Sequence, residues 1–277
     1  MPTQRLLTIC REYLDAYAST CDQSSLLIRA AWKVEYALRL TANDFPVLRE
    51  FLLVQTVGFG SSHQQITGPS WLRADCIGRS ALALTQYPLA YQIAGLDAVA
   101  SQIVPPPDEE TCLTGSNAEK LAVRSDVIVS EALRLAKSTR SLRPKVVVVG
   151  ALGSLIFRLV KNHQIDIRAV DGDEAVIGRN YHGVVVESAS LTKELVSGSD
   201  VAVVTGMALA IETMDDIVDA AVQSRVKLLL YLQTGANLVE PYLVAGAATV
   251  VSEPYPFYFM GSGKSVMRVY RARAYHR

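Results

Sequence analysis

Six short apolar runs, separated by stretches of helical periodicity, constrain the fold of this chain more than any other feature. They are "VVVV" (146–149), "DIRAV" (166–170), "GVVVE" (183–187), "DVAVVTG" (200–206), "VKLLLYL" (226–232) and "AATVVS" (247–252). A continuous apolar run of this length reads as a strand buried on both faces. Such strands need helices above and below, and the intervening crossovers supply them, which predicts a parallel sheet. The second half is therefore expected to be a Rossmann-like α/β sheet covered by helices.

The first half is patterned differently. "MPTQRLLTICREYLDAYAST" places Leu6, Cys10, Tyr13, Leu14 and Tyr17 at helical spacing among charges, an amphipathic helix rather than a signal peptide. "KVEYALRL" alternates Val34, Tyr36, Leu38 and Leu40 with polar or small residues, as a strand exposed on one face does. "EFLLVQTVGFGSSH" reads as a second strand ending in glycines, and residues 77–104 look helical with a break at Tyr87, ahead of Pro88. Strands followed by helices indicate a small α+β unit. "VPPPDEETCLTGSN" (104–117) then halts the pattern, and Ser116 with Glu119 has capping-box spacing for a helix over about 118–138. The predicted organisation is a small α+β domain over 1–117, ending in that proline-rich linker, and a Rossmann-like ligand-binding domain over 118–277.

Charge and cysteine usage narrow the functional classes. With 27 basic and 27 acidic residues among 277, no global field draws the chain to nucleic acid or to an anionic membrane. No apolar run is long enough to span a bilayer. Cys10, Cys21, Cys76 and Cys112 form no CxxC pair, which argues against a disulfide framework and a thiolate metal knuckle and suits a reducing, cytoplasmic setting. His63, His163, His182 and His276 show no metal-binding spacing. "FMGSGKSV" ends like a phosphate-binding P-loop but has Tyr258 where the first glycine belongs. The basic, alternating "VMRVYRARAY" reads as a charged edge strand.

The chemistry-bearing residues gather at the ends of the apolar runs. "GALGSL" supplies Gly150 and Gly153 after the first strand, without the full three-glycine fingerprint. Asp171, 21 residues beyond Gly150, and Asp173 after it stand where a carboxylate accepts the ribose hydroxyls of an adenosine. Thr205 and Gly206 end the fourth run, on the side of the sheet where open α/β folds bind ligands. The loop offers no lysine for a phosphate, so an adenosine ligand poor in phosphate, such as S-adenosylmethionine, fits better than a dinucleotide. Its sulfonium would be drawn to aromatic faces. "EPYPFYFMG" (253–261) clusters such rings, a pattern that also suits core packing or a homodimer surface. His63, in "GFGSSHQQITG", and Glu212, at the start of a helix, are the candidate acid–base residues.

The segments "KVVVVGALGSLIFRLV", "IRAVDGDE", "SDVAVVTGMALAIETMDDIV" and "LVEPYLVAGAATVVSEP" resemble a bacterial and archaeal family known as putative heavy-metal chelation proteins. "GRSALALTQYPLAYQIAGLDAVASQI" resembles that family's companion domain, likened to the N-terminal domain of enolase. The chain departs from the family pattern at Ile211, and at Ala100 and Ser101, where asparagines are usual, as a divergent member would. The resemblance implies a ligand cleft between two domains and the handling of a metal or metal chelate.

Three functional expectations follow. One is a transferase-like enzyme binding S-adenosylmethionine or a similar adenosine ligand, with displacement at the sulfonium in an interdomain cleft. Another is a binding protein for a divalent metal or its chelate, with His63 and Asp171 as ligands. A third expectation is a non-catalytic interaction module.

Overall fold

The computed structural model describes residues 5–38, 47–64, 72–260 and 263–273, with backbone only at Leu38, Val47 and Leu48. Leu40, residues 65–68 of the glycine-rich segment, Gly261 and His276 lie outside them.

The chain opens with helix α1 (Arg5–Ala18), whose buried residues Leu6, Leu7, Cys10 and Leu14 follow the expected amphipathic stripe. Strands β1 (Ala30–Leu38), β2 (Val47–Gln55) and β3 (Phe59–Gln64) form a three-stranded antiparallel sheet in that order. The segment expected to be one strand ending in glycines is a hairpin, because the backbone reverses at Thr56–Gly58 and Thr56 N–H bonds the Gly58 carbonyl. Helix α2 (Leu89–Ala100) follows Pro88 and lies directly on β3. The approach is so close that a Cβ at Gly60 would fall 2.1 Å from the Ala94 carbonyl and the Ala98 nitrogen. Only glycine fits there.

Strand β4 (Glu109–Leu113) comes before helix α3 (Asn117–Lys137), which starts at the expected capping box of Ser116 and Glu119. The rest alternates: β5 (Lys145–Val149), α4 (Gly153–Val160), β6 (Asp166–Asp171), a β7 (Asn180–Tyr181) and β8 (Val184–Ser188) hairpin, α5 (Thr192–Ser197) and β9 (Val201–Thr205). Then come α6 (Met207–Ala210), α7 (Met214–Gln223), β10 (Lys227–Leu232), α8 (Val239–Val244), β11 (Thr249–Ser252) and β12 (Ser265–Arg271). The nine-stranded sheet runs β4-β12-β11-β10-β9-β5-β6-β8-β7. Its six central strands, β8-β6-β5-β9-β10-β11, are parallel. That is the 3-2-1-4-5-6 order of Rossmann folds, with the reversal between β5 and β9.

The protein is thus an α/β fold with a small antiparallel sheet before a large, mostly parallel one. Two further details differ from the sequence expectation. β12 is not an edge strand, because it lies between β11 and β4, and its arginines meet acidic neighbours: Arg268 bonds Glu110, and Arg271 bonds Glu109 and Glu131. β4, drawn from the linker region, joins the large sheet rather than the small one. The two halves also share a core. Leu6 and Leu14 of α1 and Ile93 and Leu96 of α2 belong to the same buried cluster as Val147, Val204 and Leu230 of the large sheet.

Candidate functional site

The carboxyl edge of the large sheet collects most of the residues singled out by sequence. Gly150 leaves β5 with φ +87°, a backbone that glycine adopts without strain. A Cβ there would lie 2.5 Å from Thr205 Oγ1, so the Thr205 side chain packs directly on the glycine turn, across the strand-order reversal. Asp171, at the end of β6, accepts from Ala151 N–H at 2.7 Å and from Asp173 N–H at 2.9 Å. Its carboxylate therefore holds the glycine turn in place. Asp173 is exposed, and its own Oδ1 accepts from Ala175 N–H. The ring of Tyr181 covers Gly153, where a Cβ would come within 2.9 Å of Cε1. Gly206 backs onto the loop after β10, with the Thr234 carbonyl 2.9 Å from where its Cβ would be. Glu212 stands apart, exposed and at φ +62° in the turn before α7.

The loop after β10 is bolted to the small sheet. Asp97, fully buried on α2, accepts from Ser61 N–H at 2.8 Å and from Asn237 N–H at 2.6 Å. Burial pushes its carboxyl up to about 7, against the pull of backbone N–H groups from Asn237, Ser61 and Ala236. Ser61 Oγ donates to the Gln233 carbonyl at 2.6 Å, and Gly235 N–H bonds the Ser61 carbonyl.

His63 sits beside this clamp. Its N–H bonds Thr234 Oγ1 at 2.9 Å, and it pairs across the sheet with Phe51, ring edge to face at 5.7 Å between centroids. The residue is 6% exposed, and its Nδ1 is sealed from solvent, with no hydrogen-bond partner among the described residues. Burial, with the Arg49 charge adding to it, lowers the imidazole to about 4. The ring is therefore neutral at pH 7 and presents an uncommitted lone pair. Phe51 and Tyr36, on the same sheet face, pack against Phe257 and Phe259 of the segment following β11. That is where the expected aromatic cluster goes: it forms the seam between the two sheets.

Four residues that sequence reasoning did not single out complete the seam. Arg124 of α3 donates from Nε to Tyr231 Oη at 2.7 Å, and Tyr231 donates in turn to Glu253. Glu253, fully buried, also accepts from Gln233 Nε2 at 3.0 Å and Tyr258 N–H at 2.7 Å. Burial raises the Glu253 carboxyl, with Arg124 pulling the other way. The guanidinium carbon lies 4.5 Å from the Tyr231 ring centre and 4.9 Å from that of Tyr258. The stripe that Arg124 shares with Lys120, Ile128 and Ala132 on α3 does not by itself separate it from the solvated charges around it.

Two surface hollows lie away from this edge. One, of about 420 Å³, is at the amino ends of β5 and β6, and the other, of about 260 Å³, is along α3. Among the described residues no group of three or more His, Cys, Asp or Glu side chains is placed to hold a metal ion. Nor is any described helix long and apolar enough to cross a membrane.

Residues 135–230, from the end of α3 to β10, match the DUF364 family, described as "Putative heavy-metal chelation". The match spans about a third of the chain. Two solved DUF364 proteins of unknown function share the fold over nearly the whole chain. One is from Desulfitobacterium hafniense, with 10% identity and a TM-score of 0.58, covering 94% of this chain and 98% of that one. The other is from Pyrococcus horikoshii, with 12% identity and a TM-score of 0.57, covering 96% and 99%. No curated protein matches the chain. The DUF364 segment carries Gly150, Gly153, Asp171, Asp173, Thr205, Gly206 and Glu212, whereas His63, Arg124 and Glu253 fall outside it.

Proposed function

We propose that the protein binds a small metal chelate, an ion that arrives already held by an organic ligand, in the seam between the small sheet and the carboxyl edge of the large one. The observation that carries this reading is the His63 imidazole, buried and neutral, with Nδ1 lacking a partner among the described residues. One nitrogen is too few for a bare ion, since protein metal sites draw on three or four donors. It is enough to fill an open position on a metal whose other donors belong to its chelator, and neutral imidazole suits nickel, copper, zinc and iron. The description of DUF364 supports the metal. With His63 closed off from solvent, entry requires the seam to open. Association is therefore expected to be slower than the roughly 10⁵–10⁷ M⁻¹ s⁻¹ usual for open sites.

Thermal-shift and calorimetric titrations with nickel chloride and with preformed nickel–iminodiacetate test this. The chelate should stabilise the protein in proportion to its excess over Kd, and His63→Gln should abolish the response. An undiminished response in His63→Gln, or none from the wild type, would overturn the reading.

A second reading has its own observation. Asp171 ends β6 beside the glycine turn in the Rossmann strand order, where adenosine ligands bind. It takes the protein for an S-adenosylmethionine-dependent transferase, with Tyr181 and Thr205 moving aside for the ligand. Titration with S-adenosylmethionine tests it, and affinity unchanged in both Asp171→Ala and Asp173→Ala would remove it.

A further inference from the structure

We infer that Arg124 forms an anion-binding subsite in this seam, one that receives a carboxylate of the incoming ligand. The subsite deepens the chelate reading by naming the chemistry of the ligand's organic part. It rests on that reading only for the metal.

Arg124 is 4% exposed, yet only one of its three guanidinium nitrogens is committed. Nε donates to Tyr231, and the Nη1 and Nη2 groups make no hydrogen bond among the described residues. A guanidinium has five N–H donors and no acceptor, so four are left over. Buried donors are seldom left without acceptors, and those of a charged group least of all.

The rest of the site keeps the fork charged and aimed. Burial opposes the charge, but Tyr231, Tyr258 and Glu253 together outweigh it. Glu253 comes no closer to the guanidinium than 3.5 Å, at Nε, and its own oxygens are engaged by Tyr231, Gln233 and Tyr258. The free edge of a guanidinium matches a planar carboxylate through two parallel N–H···O bonds. Tyrosine rings on its flanks leave less room for a tetrahedral oxyanion.

The test uses the whole protein without metal, titrated calorimetrically with citrate and with inorganic phosphate at matched ionic strength. Citrate is expected to bind more tightly than phosphate, and Arg124→Gln to weaken citrate by about tenfold or more. Arg124→Lys keeps a cation beside Glu253 but loses the fork, so it should also weaken citrate, and it serves if the glutamine variant does not fold. No citrate binding by the wild type, equal affinity in Arg124→Lys, or phosphate binding as tightly as citrate would overturn the proposal. The metal reading fails separately: a nickel–iminodiacetate response that survives His63→Gln would sink it while leaving the citrate result standing.

Discussion

The pH dependence of stability offers a sharp test of the seam, because two buried groups titrate there in opposite senses. His63, ordinarily near 6.5, is held at about 4 in the folded protein. Below about pH 6.5 the unfolded chain takes up a proton that the folded one refuses, so stability is lost as the pH falls. Each pH unit costs about 1.4 kcal/mol, so the loss reaches about 3 kcal/mol by pH 4. Asp97 moves the other way, from 3.8 to about 7. Between those values the folded protein keeps a proton that the unfolded chain has released. Stability is then lost as the pH rises, by about 4 kcal/mol over the window. From about pH 4 to 6.5 folding therefore binds one proton at Asp97 and releases one at His63, and the two slopes cancel. Removing either group should uncover the other. Relative to wild type, His63→Gln should gain stability on acidification and Asp97→Asn should lose it, each by about 1.4 kcal/mol per pH unit. Urea unfolding followed by circular dichroism at several pH values reads the tilts directly. Variant profiles running parallel to the wild type would refute the reasoning.

Two further outcomes are expected. Gly150→Ala should cost about 2–4 kcal/mol in thermal or urea unfolding, from its left-handed backbone and its collision with Thr205; adding Thr205→Ala should restore the contact share but leave about 1–2 kcal/mol, and strictly additive losses would mean the two residues do not touch. Glu253→Gln should destabilise by about 3–5 kcal/mol because Arg124 loses its buried counter-charge, whereas Tyr231→Phe should cost about 1–2, a ranking that equilibrium unfolding would confirm or reverse.

The large sheet was legible because its signal is local and continuous. Val146–Val149 or Leu228–Leu232 has nowhere to go but between two helix layers. The α1 stripe and the Ser116 capping box were legible for the same reason. Pairings between distant segments left no such trace. β12 alternates with arginines and looks like a guarded edge, yet its partner β4 lies more than a hundred residues earlier. The β2–β3 hairpin turn, "TVG", lacks the Asn-Gly or Asp-Gly signature that marks tight hairpins. Of the candidate site, the glycine turn, Asp171 and Thr205 could be read from strand ends. Arg124, Glu253 and Asp97 could not, because buried charge depends on partners brought from other elements. On α3 the arginine is indistinguishable by type from the solvated charges around it.

The pairing of β4 with β12 imposes an order on synthesis. Residue 113 must wait for residue 265 before its strand can be completed. At roughly 5–20 residues per second that delay lasts on the order of 8–30 s. During this time the growing chain holds an unmatched β-segment that ends at Leu113, and this edge of the sheet closes only once β12 has left the ribosome. Reliance on chaperones is expected to last until then.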